Sequence, residues 1–181
     1  MRSAETCRSG HGSGMMSEKI GRRSIRLPDF DYSQPAAYFV TLCVEDFHCL
    51  LAQVVDGMIQ LKKAGAICLN VWRSLPDRFP SVDLDRIVVM PNHLHGILLL
   101  KNEDHQPNQP FLGDVVGAFQ SLVFQQYYQW IKDNHLNLKA KFWQRNYYEH
   151  VIRNDEDWER VRNYILMNPM NWSDDTYYRP S

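Results

Sequence analysis

Residues 38–44, Tyr-Phe-Val-Thr-Leu-Cys-Val, are the first dense apolar run of the chain, and their aromatic and β-branched content predicts a strand. Asp56-Gly57 then separates two short apolar pieces, 50–55 and 58–61, as a tight hairpin turn does. From Lys62 the period changes. Ile67, Val71 and Leu75 recur at helical intervals, which predicts a helix that stops at Pro76 or a little beyond. Residues 81–90 read as a second long strand, with Val82, Leu84 and Val88 in imperfect alternation. Pro91-Asn92 turns the chain, and residues 93–100 return as the neighbouring strand; being apolar on both faces, this strand should lie centrally and be covered. Residues 113–132 place Val116, Phe119, Val123, Tyr127 and Trp130 on one helical stripe. A final strand is predicted over 142–152. The last helix spans 155–168, with Asn154 or Asp155 as cap, acidic residues in its first turn and Pro169 as its stop.

Strands interleaved with helices in this order predict an α+β fold, with one mainly antiparallel sheet and helices packed on one face. A ferredoxin-like arrangement is the simplest match. Residues 1–20 are rich in Ser, Gly and charge and predict a disordered tail, in which Met15 or Met16 offers an alternative start; residues 21–181 form a single domain. No apolar run approaches the ~18 residues needed to span a bilayer, and the start lacks a signal-peptide core. Cys7, Cys43, Cys49 and Cys68 show no Cys-x-x-Cys spacing, so neither a zinc knuckle nor a disulfide framework is indicated. A cytoplasmic protein without a membrane partner is the expectation. The formal net charge of −1 excludes nucleic-acid binding by bulk attraction. Any such affinity must come from local groups: Arg22, Arg23 and Arg26, or Lys139, Lys141 and Arg145.

His93 and His95 carry the chemistry. Alternate residues of a strand share a face, so both imidazoles point the same way, about 7 Å apart at Cβ, and are able to converge on one cation. The bland alternative is a pair of hydrogen-bonded histidines in a half-buried sheet. Four residues apart on the last helix, Tyr164 and Asn168 share a helical face, and Asn168 sits at the exposed helix end before Pro169. Two imidazoles, an amide oxygen and a phenol suit a divalent ion acting on a phosphodiester, with the phenolate attacking phosphorus. Tyrosine's ordinary pKa of about 10 requires a nearby cation to favour that ionisation. Zinc is not the expected ion, because a third histidine or sulfur ligand is missing.

The segments "VVMPNHLHGILLL" and "FWQRNYYEHVIRNDEDWERVRNYILMNP", together with "YFVTLC" upstream, resemble the single-tyrosine HUH (His-hydrophobic-His) transposases, and among them the REP-associated tyrosine transposases. The likeness runs from about Arg26 to Trp172. It implies a central antiparallel sheet bearing the metal-binding pair His93 and His95, and a C-terminal helix bearing the nucleophile Tyr164 in a Tyr-Ile-x-x-Asn-Pro motif. Asn168 matches the amide-type ligand position, and His150 resembles a position near the site. The resemblance further implies cleavage of single-stranded DNA at or beside a hairpin, with Mg2+ or Mn2+, through a 5′-phosphotyrosine bond that frees a 3′-hydroxyl. Trp143, Gln144 and Arg145 are candidates for stacking on and hydrogen-bonding to unpaired bases. Tyr147 and Tyr148 are rival nucleophiles that read better as strand aromatics. Two departures from the family pattern are the low positive charge and Gln120, where many relatives carry lysine. The short connection at Asn154 favours docking of the last helix on its own sheet, hence a monomer over a homodimer with shared sites. Two other readings stand beside this one: a non-catalytic or domesticated binder of structured nucleic acid, and a cupin-type metal enzyme. The cupin barrel needs many more short strands than this chain offers.

Overall fold

A computed structural model describes residues 36–101, 110–136 and 141–179. Strand β1 (Ala36–Cys43) is followed by the hairpin β2 (Ala52–Val55) and β3 (Met58–Leu61), then helices α1 (Lys63–Arg73) and α2 (Leu75–Arg78). Strands β4 (Val82–Val89) and β5 (His93–Leu100), helix α3 (Leu112–Asp133), strand β6 (Tyr148–Ile152) and helix α4 (Asp155–Met167) complete the order. The sheet runs β4-β5-β1-β6 with every neighbouring pair antiparallel. With the hairpin set aside as an insertion, this is a βαββαβ chain in the ferredoxin-like strand order. The hairpin turns where Asp56-Gly57 predicts it, both residues having positive φ (52° and 72°). The tail 1–20 and Arg22, Arg23 and Arg26 lie outside the described residues. Among the described residues, no helix is long and apolar enough to cross a membrane.

Alternation along β1 and β5 divides the interior in two. Tyr38, Val40, Leu42, Leu94 and Leu98 face α1 and α3 and meet Trp72, Phe119 and Val123. Phe39 and Ile97 point to the other face, where Val161 and Ile165 of α4 cover them. Helices therefore pack on both faces rather than one, which is why β5 is apolar throughout. Pro76 does not end the helical region. The chain breaks at Ser74, and Pro76 sits in the first turn of α2, where its missing N–H costs nothing. The last strand is shorter than predicted. Trp143 bridges Val44 while Tyr148 pairs with Thr41, a slip of two residues that interrupts the ladder between them.

Gly96 has a packing reason. A Cβ there would lie 2.4 Å from Trp72 Cζ2, deep in the main core and one residue from His95. Gly96→Ala must push the indole or the strand aside, and the expected cost is about 1–3 kcal/mol, read as a lower denaturation midpoint at unchanged slope.

Helix α4 is tied to the sheet by polar contacts as well. The Asn154 side chain caps it by accepting from Asp157 N. Asp157 Oδ2 lies 2.7 Å from His150 Nε2 on β6. At the opposite edge Arg162 donates to both carboxylate oxygens of Asp85 (2.7 and 2.9 Å), where an irregularity of β4 between Leu84 and Ile87 breaks the regular pairing.

Candidate active site

Asn92, at the turn between β4 and β5, sets the chemistry of the pair that follows it. Its amide nitrogen donates to two carbonyls, Tyr177 O (2.8 Å) and Phe47 O (3.2 Å), so Oδ1 must be the atom facing His93 Nδ1 at 2.9 Å. That nitrogen therefore carries the proton, and the His93 Nε2 lone pair is free for other use. Thr41 Oγ1, across the sheet from His95, holds its Nδ1 at 2.7 Å. The two Nε2 atoms are left facing each other at 3.0 Å. Both rings are fully buried, and outer partners that orient both Nδ1 atoms are what a metal-binding imidazole pair requires.

Tyr164 approaches from α4 with its hydroxyl 3.4 Å from His95 Nε2. Phe39 supports both groups, stacked against His95 at 5.2 Å and edge-on to Tyr164 at 5.9 Å. Tyr164 is 45% exposed, so the site is closed around the imidazoles and open beside the phenol.

The sequence reading missed Asp175. It lies beyond Pro169, in a segment with no periodic pattern, and only folding back over β5 brings it in. Its Oδ2 stands 3.9 Å from His93 Nε2 and accepts from Asn168 Nδ2 at 3.0 Å. Donor atoms of His93, His95 and Asp175 all lie within 4.8 Å of one another. Asn168 also reaches this cluster. Its nitrogen donates to Asp175, while its buried Oδ1 has no hydrogen-bond partner among the described residues. An orphaned buried acceptor beside a carboxylate and two imidazole Nε2 atoms is a donor set that fits a divalent cation. Two imidazoles and one carboxylate also remove the reason for disfavouring zinc, since the missing third ligand is supplied by Asp175.

The residues expected to stack on bases part company. Trp143 is buried against Phe119 and Phe142 and donates Nε1–H to Gln120 O, so it is a core residue and not a stacking platform. Gln144 is half-buried, its N–H bound to Cys43 O, and Arg145 is exposed. Tyr148 lies opposite Thr41, on the face that carries the imidazoles, and is 47% exposed. The His150–Asp157 contact makes His150 a tie between β6 and α4.

Burial pushes the His93 imidazole down to about 4, partly offset by Asp175, and burial with the neighbouring His93 holds His95 well below its ordinary range. Burial and then Asp175 push the Tyr164 phenol up, against a hydrogen bond from Asn168, so Tyr164 stays protonated at neutral pH unless a cation is near. The unfolded chain takes up protons on its histidines below about 6.5, whereas the folded site resists until about 4. Between those values the unfolded state binds more protons. The metal-free protein is therefore expected to lose stability as pH falls from 6.5 to 4. Equilibrium denaturation across that range should show the slope, and the double variant His93→Gln, His95→Gln should flatten it.

A ferredoxin-like sheet thus presents a His-x-His pair to a tyrosine on the helix that closes its second face. No protein-family model matches the chain. A Haemophilus influenzae protein described only as "Uncharacterized protein" is 32% identical over 173 residues, covering 87% of this chain and 93% of its own length. A second protein of that organism, "Putative REP-associated tyrosine transposase", is 22% identical over 141 residues, 77% of this chain and 73% of its own. The chain belongs to one family with the first of these proteins and is more distantly similar to the second. Among solved structures, a REP-associated tyrosine transposase bound to a REP hairpin matches with a TM-score of 0.49 and 20% identity, over 76% of this chain and 68% of that one. A Deinococcus radiodurans protein described as "a putative transposase" matches with a TM-score of 0.46 and 14% identity, over 78% and 95%.

Proposed function

We propose that this protein cuts single-stranded DNA beside a hairpin and rejoins it through a 5′-phosphotyrosine on Tyr164. The observation that carries the reading is the Tyr164 hydroxyl set against the convergent Nε2 atoms of His93 and His95 on the same chain. In the first step Tyr164 Oη bonds to phosphorus, the bond from phosphorus to the 3′-oxygen breaks, and the phenol proton is lost to solvent on the open side of the site. The departing 3′-oxygen takes up a proton, and the same hydroxyl is able to reverse the step because the phosphotyrosine keeps the bond energy. His93, His95 and Asp175, with Asn168 Oδ1, would hold Mg2+ or Mn2+, which when bound polarises a phosphoryl oxygen as a Lewis acid. Asn92 and Thr41 orient the two rings so that their Nε2 atoms converge, and Phe39 packs against both the His95 ring and the phenol.

Incubation of the protein with a hairpin-bearing single-stranded oligonucleotide and either ion, followed by a denaturing gel, tests this. A covalent protein–DNA band is expected, and a fully paired duplex of the same sequence should give little of it, because its bases stay stacked. Tight binding without any adduct would instead make the protein a binder of structured nucleic acid.

A further inference from the structure

Breaking the bond from phosphorus to the 3′-oxygen releases an alkoxide, a poor leaving group unless a proton reaches it as the bond stretches. Nucleophile and leaving group stand in line on opposite sides of phosphorus. The proton donor is therefore expected on an element other than the helix that carries Tyr164.

Tyr148 meets that requirement. It lies on β6 opposite Thr41, and Thr41 lies on β1 opposite His95, so the three residues form one row across the sheet, on the face that carries the imidazoles. Two strand spacings put its Cα roughly 10 Å from that of His95, a gap that a tyrosine side chain largely spans. Its ring stands edge-on to Phe39 at 6.3 Å, as the Tyr164 ring does at 5.9 Å. One phenylalanine thus seats both phenols, one from a strand and one from a helix. Tyr148 is 47% exposed, and among the described residues its hydroxyl has no hydrogen-bond partner.

The other proton carriers on this face are committed. His150, the next residue of β6 on the same side, is held by Asp157 at 2.7 Å. Cys43 is buried opposite His93. Tyr177 is half-buried with its ring 4.7 Å from His93. The imidazoles turn their Nε2 atoms to each other and their Nδ1 atoms to Asn92 and Thr41.

We propose that Tyr148 is a second catalytic residue, the general acid that hands its phenolic proton to the departing 3′-oxygen. The inference rests on the Tyr164 reading above. As the bond from Tyr164 Oη to phosphorus forms and the bond from phosphorus to the 3′-oxygen breaks, the O–H bond of Tyr148 breaks and the 3′-O–H bond forms. Rejoining runs the transfer backwards: the Tyr148 phenolate takes the proton from the 3′-hydroxyl as that oxygen attacks the phosphotyrosine.

A leaving atom that needs no proton separates this role from a structural one. Once the link cut by the parent protein has been mapped on a hairpin oligonucleotide, its 3′-bridging oxygen is replaced by sulfur, which departs as a weakly basic thiolate. In Mn2+, single-turnover adduct formation by Tyr148→Phe should be about a hundredfold slower than by the parent on the oxygen link, and within about threefold of the parent on the sulfur link. Circular dichroism checks the fold of the variant, which keeps the ring and its contact with Phe39. Equal slowing on both links by the folded variant overturns the proposal, as does an unchanged rate on the oxygen link. Failure of the parent protein to form an adduct on either link would instead remove the Tyr164 reading itself, and the role of Tyr148 with it.

Discussion

Tyr164→Phe is expected to abolish the covalent protein–DNA adduct while changing hairpin affinity by no more than about twofold, because the deleted oxygen acts in the transition state and not in ground-state binding. The ring keeps its edge-on contact with Phe39, and no metal-binding group is touched. Tyr148→Phe is the informative comparison. Tyr148 is on the same sheet face and similarly exposed, so it is the strongest rival for the role. Of these two phenols, it is Tyr164 whose hydroxyl lies within hydrogen-bonding distance of His95 Nε2. An adduct that survives Tyr164→Phe and vanishes in Tyr148→Phe would transfer the nucleophile to β6.

His95→Ala should reduce adduct formation by at least about a hundredfold, since it removes one of the convergent lone pairs from the cluster. A graded series sharpens the expectation. Thr41→Val leaves the ring in place but frees its Nδ1, and loss of such an outer partner costs about 10–100-fold in metal affinity. Titration with Mn2+ followed by electron paramagnetic resonance reads the affinity without reference to DNA. Equal Mn2+ affinity in the parent, Thr41→Val and His95→Ala proteins would remove the metal centre from this site.

The sheet strands and long helices were legible because their apolar positions follow one period, and the Asp56-Gly57 turn because it has a local chemical signature. The pairing of His93 with His95 followed from strand alternation alone, and that of Tyr164 with Asn168 from helical spacing. Asp175 was illegible for the converse reason: it lies in a non-repetitive segment, and the Asn92–Tyr177 contact that holds this segment in place joins residues 85 positions apart in sequence. Trp143 misled because an aromatic residue next to Gln and Arg looks the same in sequence whether its ring faces solvent or Phe119. Which face α4 would cover was likewise hidden. A strand apolar on both sides needs two covers, but the pattern does not say which helix supplies the second.

The paired hydrogen bonds between Arg162 and Asp85 have a bearing on how copies of this protein would behave in mixtures. They fasten the helix bearing the phenol to the sheet bearing the imidazoles within a single polypeptide, so under the proposed function each molecule would own a full set of reacting groups. Two crippled populations, one carrying Tyr164→Phe and the other His95→Ala, should therefore stay inactive when combined at any ratio, because neither can lend the other its missing part. Weakening the fastening with Asp85→Asn would be the way to let helices trade places, and recovery of activity in that mixture alone would measure how firmly each helix is kept at home.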